Sequence, residues 1–297
     1  MKYEIKKQKL KNNETMAYRE TGKGSVNLIL IHGNQSSSLF YENVMHDFED
    51  KVHIYAIDMI GFGESSYNNA HLDMKSWAYD VRLFMDELKI ENAIIVGWSA
   101  GGGTALEMAI NYPDRVKHLV LLASVGVKGF FLQRMNEDMT PVDGEFVYKR
   151  KDVEKDPKIV KPVQKAIDDK NEDFLCNVWK AGIFNLNQPK EELFRSYMKE
   201  ILKERCFVDI SVALCNFNIT DEDAVVRGDG RIKDIKCPVT WIHGKKDLVV
   251  PFEQGQDSIR YFKSKSELIP IENAGHASFM DRPDEFNEIL SNIIKMY

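Results

Sequence analysis

Four cysteines in 297 residues, Cys176, Cys206, Cys215 and Cys237, are too few to staple a chain of this length. None is spaced C-x-x-C, so buried free thiols are expected instead of a disulfide framework or a zinc site. No apolar run reaches the 18 residues a membrane span needs, and the N-terminal basic residues are followed by no apolar stretch resembling a secretion signal. Cytoplasmic residence and no obligate membrane partner are therefore expected. A formal net charge of −6, with no Lys/Arg-rich run, argues against nucleic acid as a partner. No H-E-x-x-H, Walker or Cys/His spacing occurs, so no metal and no cofactor are expected.

Short apolar runs alternate with helical patterns. Val26–Ile31, Val52–Ile57, Ala93–Val96 and His118–Ala123 read as strands buried on both faces. Met74–Leu88 and Gly101–Tyr112 read as helices between them, which predicts an α/β fold with a mostly parallel sheet flanked by helices. From Val127 to Arg231 the strands stop and amphipathic helical stripes replace them. The alternation resumes at Pro238–His243 (strand), Phe252–Phe262 (helix), Glu267–Ile271 (strand) and Pro283–Lys295 (helix). The simplest organisation is a core of residues 1–126 and 232–297, with a helical cap of residues 127–231 inserted after strand six, its borders good to several residues.

The chemistry concentrates at Gly97-Trp98-Ser99-Ala100-Gly101, a G-x-S-x-G that ends one strand and opens a small-residue helix. With 18 glycines in the chain the bare pattern is uncommon by chance, and a strand-to-helix turn this sharp needs residues without bulk on either side of the serine. A serine hydroxyl is a weak nucleophile at neutral pH, so it requires a base and a group that orients the base. Of seven histidines, only His276 lies in a loop after the last strand, where parallel sheets place their chemistry. His46, His53, His71 and His118 fall in helices, strand starts or a loop, and His32 and His243 each precede a glycine at a strand end. Asp247 leaves a strand end as the orienting acid should, whereas Leu122-Ala123-Ser124 offers no carboxylate. A turn-capping Asp247 and a surface His276 are the competing readings. The order Ser99, Asp247, His276, each at a strand end, favours a triad.

Two backbone N–H groups should face the oxyanion: Ala100, just after the serine, and Asn34, in the loop after the Val26–Ile31 strand. His32 is expected to brace that loop through its ring. Asp58 with Gly61 and Gly63 lacks the third glycine of a dinucleotide fingerprint and is read as a tight turn behind the loop. Trp98, Phe130, Phe131, Trp179 and Phe184 are candidate pocket residues, with Phe174, Phe207 and Phe217 as further aromatics of the insertion, although helical aromatics more often form a cap's own core.

Taken in order, His32-Gly33-Asn34, Asp58-x-x-Gly61-x-Gly63-x-Ser65, the Ser99 turn, Gly244-x-x-Asp247 with Val250-Pro251, and Gly275-His276 before Arg282-Pro283 resemble the α/β-hydrolase superfamily from about Tyr18 to the C-terminus, except over the insertion. The resemblance implies a cap between strands six and seven of that core and a serine esterase-like member. Relatives that open epoxides or remove halide carry aspartate where Ser99 stands. Proline-type aminopeptidases usually read G-G-S-W-G, and carbon–carbon hydrolases of ring-cleavage products usually have a glycine-rich oxyanion loop, unlike Asn34-Gln35-Ser36-Ser37-Ser38. The expected activity is hydrolysis of a small or medium carboxylic ester through an acyl-enzyme. Lactone, thioester, acylglycerol or carbon–carbon substrates remain open, as does a ligand receptor with slow or no turnover. The sequence leaves oligomeric state undetermined.

Overall fold

The computed structural model describes residues 2–297. The chain opens with an antiparallel pair, β1 (Lys6–Lys9) and β2 (Thr15–Thr21), and continues through β3 (Asn27–Ile31), α1 (Glu42–Phe48) and β4 (His53–Ile57). Then come α2 (Met74–Glu87), β5 (Ala93–Trp98), α3 (Ala100–Asn111) and β6 (Val116–Leu122). After β6 the chain leaves the sheet for a hairpin, β7 (Leu132–Met135) and β8 (Pro141–Val147). Five helices follow: α4 (Arg150–Val153), α5 (Val160–Asp168), α6 (Glu172–Gly182), α7 (Glu191–Ile201) and α8 (Phe207–Cys215). It re-enters through β9 (Val239–Gly244), α9 (Phe252–Ile259), β10 (Ser266–Ile271), α10 (Ser278–Asp281) and α11 (Pro283–Ile294). No helix among the described residues is long and apolar enough to cross a membrane.

The eight sheet strands run in the order β1-β2-β4-β3-β5-β6-β9-β10. Every pairing from β4 to β10 is parallel; only β1–β2 and β2–β4 are antiparallel. The strands foreseen from apolar runs all form, because strands such as Ala93–Trp98 are buried along their whole length between helices on both faces. Two features lack such a signal. The edge pair β1–β2 carries mixed polar residues, and Arg19 of β2 lies buried, its guanidinium donating to the Ser38 hydroxyl. The hairpin β7–β8 is mostly exposed, so the expected all-helical insertion in fact begins with two antiparallel strands.

Because β3, β5, β9 and β10 are parallel, their carboxyl ends lie on one edge of the sheet. That edge receives the 32–37 loop, the turn at Ser99, the loop carrying Asp247 and the loop carrying His276. Helices α6 and α7 sit above it. Tyr197 of α7 stacks on Phe40 at 4.0 Å between ring centres, and Trp179 of α6 tilts against Phe40 at 5.2 Å and meets Trp98 edge to face at 6.4 Å. This buried aromatic cluster fixes the inserted helices over the sheet edge.

Candidate active site

Ser99 is the single residue between β5 and α3, and its backbone takes φ 54° and ψ −120°. An L-residue adopts that conformation only under strain, at a cost of roughly 1–3 kcal/mol. The surroundings enforce it. A Cβ on Gly97 would lie 2.5 Å from the Gly101 carbonyl oxygen, and one on Gly101 would lie 2.3 Å from that of His32. The 32–37 loop also presses close, since a Cβ on Gly33 would stand 2.9 Å from Ser99 Cβ. Helix α3 begins at Ala100, so its first N–H groups have no intrahelical acceptor and its positive end meets the serine. Ala100 and Asn34 both line the cavity beside Ser99. Among the described residues neither backbone N–H has a protein acceptor.

Asp247 and His276, 29 residues apart, meet in a hydrogen bond, with His276 Nδ1 2.8 Å from Asp247 Oδ2. Both are buried. Oδ1 of Asp247 accepts the N–H groups of Val249 (2.8 Å) and Val250 (2.9 Å). Burial by itself pushes this carboxyl up, but attraction to His276 and hydrogen bonds from His243 and His276 outweigh it and hold the group well below the usual carboxylate range. With its Nδ1–H donated to Asp247, a neutral imidazole keeps its Nε2 lone pair free. Ser99 and His276 line the same cavity, and among the described residues no hydrogen bond joins them. Such bonds often tighten only as substrate binds.

The bracing read for His32 has a clear geometry. Its Nδ1 faces the Gly33 carbonyl at 2.7 Å and the Ser36 hydroxyl at 3.1 Å, while Nε2 accepts the Met59 N–H at 3.0 Å. Burial lowers its pKa to about 4, so the ring is neutral at physiological pH. Asp58 accepts the N–H and hydroxyl of Ser38 at 2.7 and 2.6 Å, and the Glu64 N–H at 2.9 Å, tying the turn to the loop that follows β3.

A cavity of about 310 Å³ opens over Ser99. Trp98, Phe130 and Trp179 line it, as do Phe207, Leu132, Val160 and Val163. Phe131 and Phe184 do not. Phe131 points outward, 37 % exposed and against Phe146 of the hairpin, and Phe184 is wholly buried among Trp179, Phe194 and Tyr197. Phe217 packs in the interior and half-buried Phe174 against the core, both away from the cavity. On an inserted helix, aromatic character alone does not tell lining from core.

Three contacts escaped the sequence. Trp98 Nε1 donates to the His276 carbonyl at 2.9 Å, linking the residue before the serine to the histidine loop. His243 reaches Asp247, as described below. The α6–α7 connection spans both loops: Asn185 Nδ2 donates to the Lys246 carbonyl at 3.1 Å, and Asn187 Nδ2 to the Asp281 carbonyl at 3.0 Å. Asp281 in turn accepts the Asn187 N–H at 3.2 Å and the Gly275 N–H at 2.8 Å. Only Gly244-x-x-Asp247 hinted at His243; contacts of Asn185 and Asn187 bridge 61 and 94 residues and leave no local trace.

A sequence profile described as the alpha/beta hydrolase fold matches residues 26–150. Along nearly its whole length the chain is similar to the AB hydrolase superfamily protein YisY of Bacillus subtilis, 24 % identical over 293 residues that cover 95 % of this chain and 96 % of that protein. It is 25 % identical over 286 residues to a 2-hydroxy-6-oxononadienedioate/2-hydroxy-6-oxononatrienedioate hydrolase of Paraburkholderia phymatum, covering 93 % and 90 % of the two chains. Among solved structures, an esterase from Exiguobacterium antarcticum superposes with a TM-score of 0.76 at 20 % identity, covering 97 % of this chain and 98 % of the esterase. Strand order, the strained serine turn and these likenesses agree: the chain has the α/β-hydrolase fold.

Proposed function

We propose that the protein is a serine hydrolase of neutral carboxylic esters, with residues 127–231 acting as its cap. The observation that carries this reading is the convergence of Ser99, the Asp247–His276 pair and two unengaged N–H groups on one cavity. His276 Nε2 takes the Ser99 proton as Oγ attacks the ester carbonyl, and the Ala100 and Asn34 N–H groups hold the oxyanion. Asp247 keeps the imidazole tautomer and stabilises the imidazolium. His276 returns the proton to the leaving alcohol, then activates the water that hydrolyses the acyl-enzyme. The strain held at Ser99 favours turnover over passive binding, since a receptor gains nothing from it.

Substrate charge follows from the lining, which includes no Lys, Arg, Asp or Glu. Its polar side chains are Asn34, Gln35, Ser99, Ser211 and His276, and the Ser211 hydroxyl is already spent on the Phe207 carbonyl at 2.7 Å. A substrate carboxylate would lose its hydration there with no cation to compensate, at a cost of several kcal/mol. This favours a neutral ester over the dicarboxylates named for the P. phymatum relative. At roughly 30 Å³ per heavy atom, by analogy with liquid water, the cavity accommodates a small or medium acyl group.

The test combines a fluorophosphonate probe with a p-nitrophenyl ester series. Labelling and turnover are expected in the wild type and abolished in Ser99→Ala, with neutral esters preferred over matched carboxylate-bearing ones. Turnover surviving in Ser99→Ala removes the assigned nucleophile, and an unlabelled wild type that binds small molecules tightly establishes the receptor reading instead.

A further inference from the structure

His243 ends β9 four residues before Asp247, wholly buried, and belongs to none of the roles above. Its Nδ1 accepts the indole N–H of Trp241 at 3.2 Å. Indole nitrogen only donates, so the proton of a neutral His243 must sit on Nε2. That nitrogen stands 2.9 Å from the Val250 carbonyl and 3.2 Å from Asp247 Oδ2, the same oxygen that meets His276. Helix α9 packs against this arrangement and leaves room for it. A Cβ on Gly255 would lie 2.8 Å from His243 Nδ1 and 3.2 Å from Trp241 Nε1. Phe252 of α9 covers the imidazole edge-on at 5.7 Å. The charged or titratable group facing the ring is Asp247, with His276 beyond it.

We propose that His243 is a positioning residue for the reaction, a second imidazole locked by Trp241 as an Nε2–H donor that orients the Asp247 carboxylate toward His276. The inference rests on the serine-hydrolase reading. With His243 in place each carboxylate oxygen has two partners: Val249 and Val250 N–H on Oδ1, His243 and His276 on Oδ2. A carboxylate held this way cannot rotate about its terminal bond, so the imidazole of His276 keeps one tautomer and one heading. The same His243 N–H spans Asp247 and Val250, closing the loop between them.

The experiment compares His243→Met, which keeps bulk but removes the donor, with His243→Gln, whose amide N–H reaches the Nε2 position. For a neutral p-nitrophenyl ester, His243→Met is expected to lower kcat roughly ten- to a hundredfold, the loss of one hydrogen bond to a charged group, with KM little changed. His243→Gln is expected to recover most of it. The acid limb of the pH–rate profile should shift in His243→Met and return in His243→Gln. Nitrogen-detected NMR of the wild type should report the Nε2–H tautomer for His243, a readout that does not depend on any variant folding. Equal kcat in the wild type and a folded His243→Met, or an Nδ1–H tautomer, overturns the proposal. Fluorophosphonate labelling of wild-type Ser99 separates the two ideas: labelled protein with an indifferent His243→Met sinks only this inference, whereas unlabelled protein sinks the hydrolase reading itself.

Discussion

Replacing Ser99 by glycine should make the protein more stable while destroying its activity. The serine sits at φ 54° and ψ −120°, where a Cβ costs roughly 1–3 kcal/mol and glycine fits without strain. Glycine brings its own penalty of roughly 0.5–1 kcal/mol through added freedom in the unfolded chain. The net gain is about 1 kcal/mol. The control is Ser99→Ala, which also lacks the hydroxyl but keeps the Cβ and therefore the strain. For 297 residues the unfolding entropy near the midpoint is roughly 0.6 kcal/mol/K, so Ser99→Gly should melt about 2 °C above Ser99→Ala. Differential scanning calorimetry and urea unfolding, run side by side on the two variants, measure this directly. A Ser99→Gly protein no more stable than Ser99→Ala refutes the idea that the turn stores strain.

Acid should weaken the fold through His32. Its folded pKa of about 4 lies below the ~6.5 of a free histidine, so between those values the unfolded chain binds a proton that the native ring refuses. Stability from this residue is full above pH ~6.5, falls by about 3 kcal/mol as the pH drops to 4, and then levels off. Urea titrations from pH 7 to 4 should show a shallower loss for His32→Gln than for the wild type; parallel curves would falsify the assignment. Asp281→Ala strips the acceptor from the N–H groups of Gly275 and Asn187. It should cost about 2 kcal/mol in stability and reduce kcat more than KM, because the histidine loop loses its tie to the α6–α7 connection. An unchanged kcat would show that the tie is merely structural.

Where residues act locally, the sequence was enough. Runs such as Ala93–Val96 identify strands because burial on both faces leaves no polar position, and Gly97 and Gly101 identify the turn because no side chain fits there. The strand ends at Asp247 and His276 were legible for the same reason, their shared edge following from parallel pairing of β9 and β10. What depends on distant packing was not. The β7–β8 hairpin has no apolar alternation to announce it, and Phe184 and Phe207 look alike in sequence although one is core and the other lines the cavity. In sequence His243 resembles any strand-end histidine; the Trp241 Nε1–H that fills its Nδ1 is what sets it apart.

The span from Asn185 to Asn187 bears on how such proteins can be rebuilt. Grafting a foreign lid onto this scaffold to change what it accepts would sever the side-chain amide hydrogen bonds to Lys246 and Asp281 along with the exchanged helices. Chimaeras that transplant the walls but retain this short bridge should keep a working centre, whereas wholesale swaps would deliver a new chamber above loops set adrift.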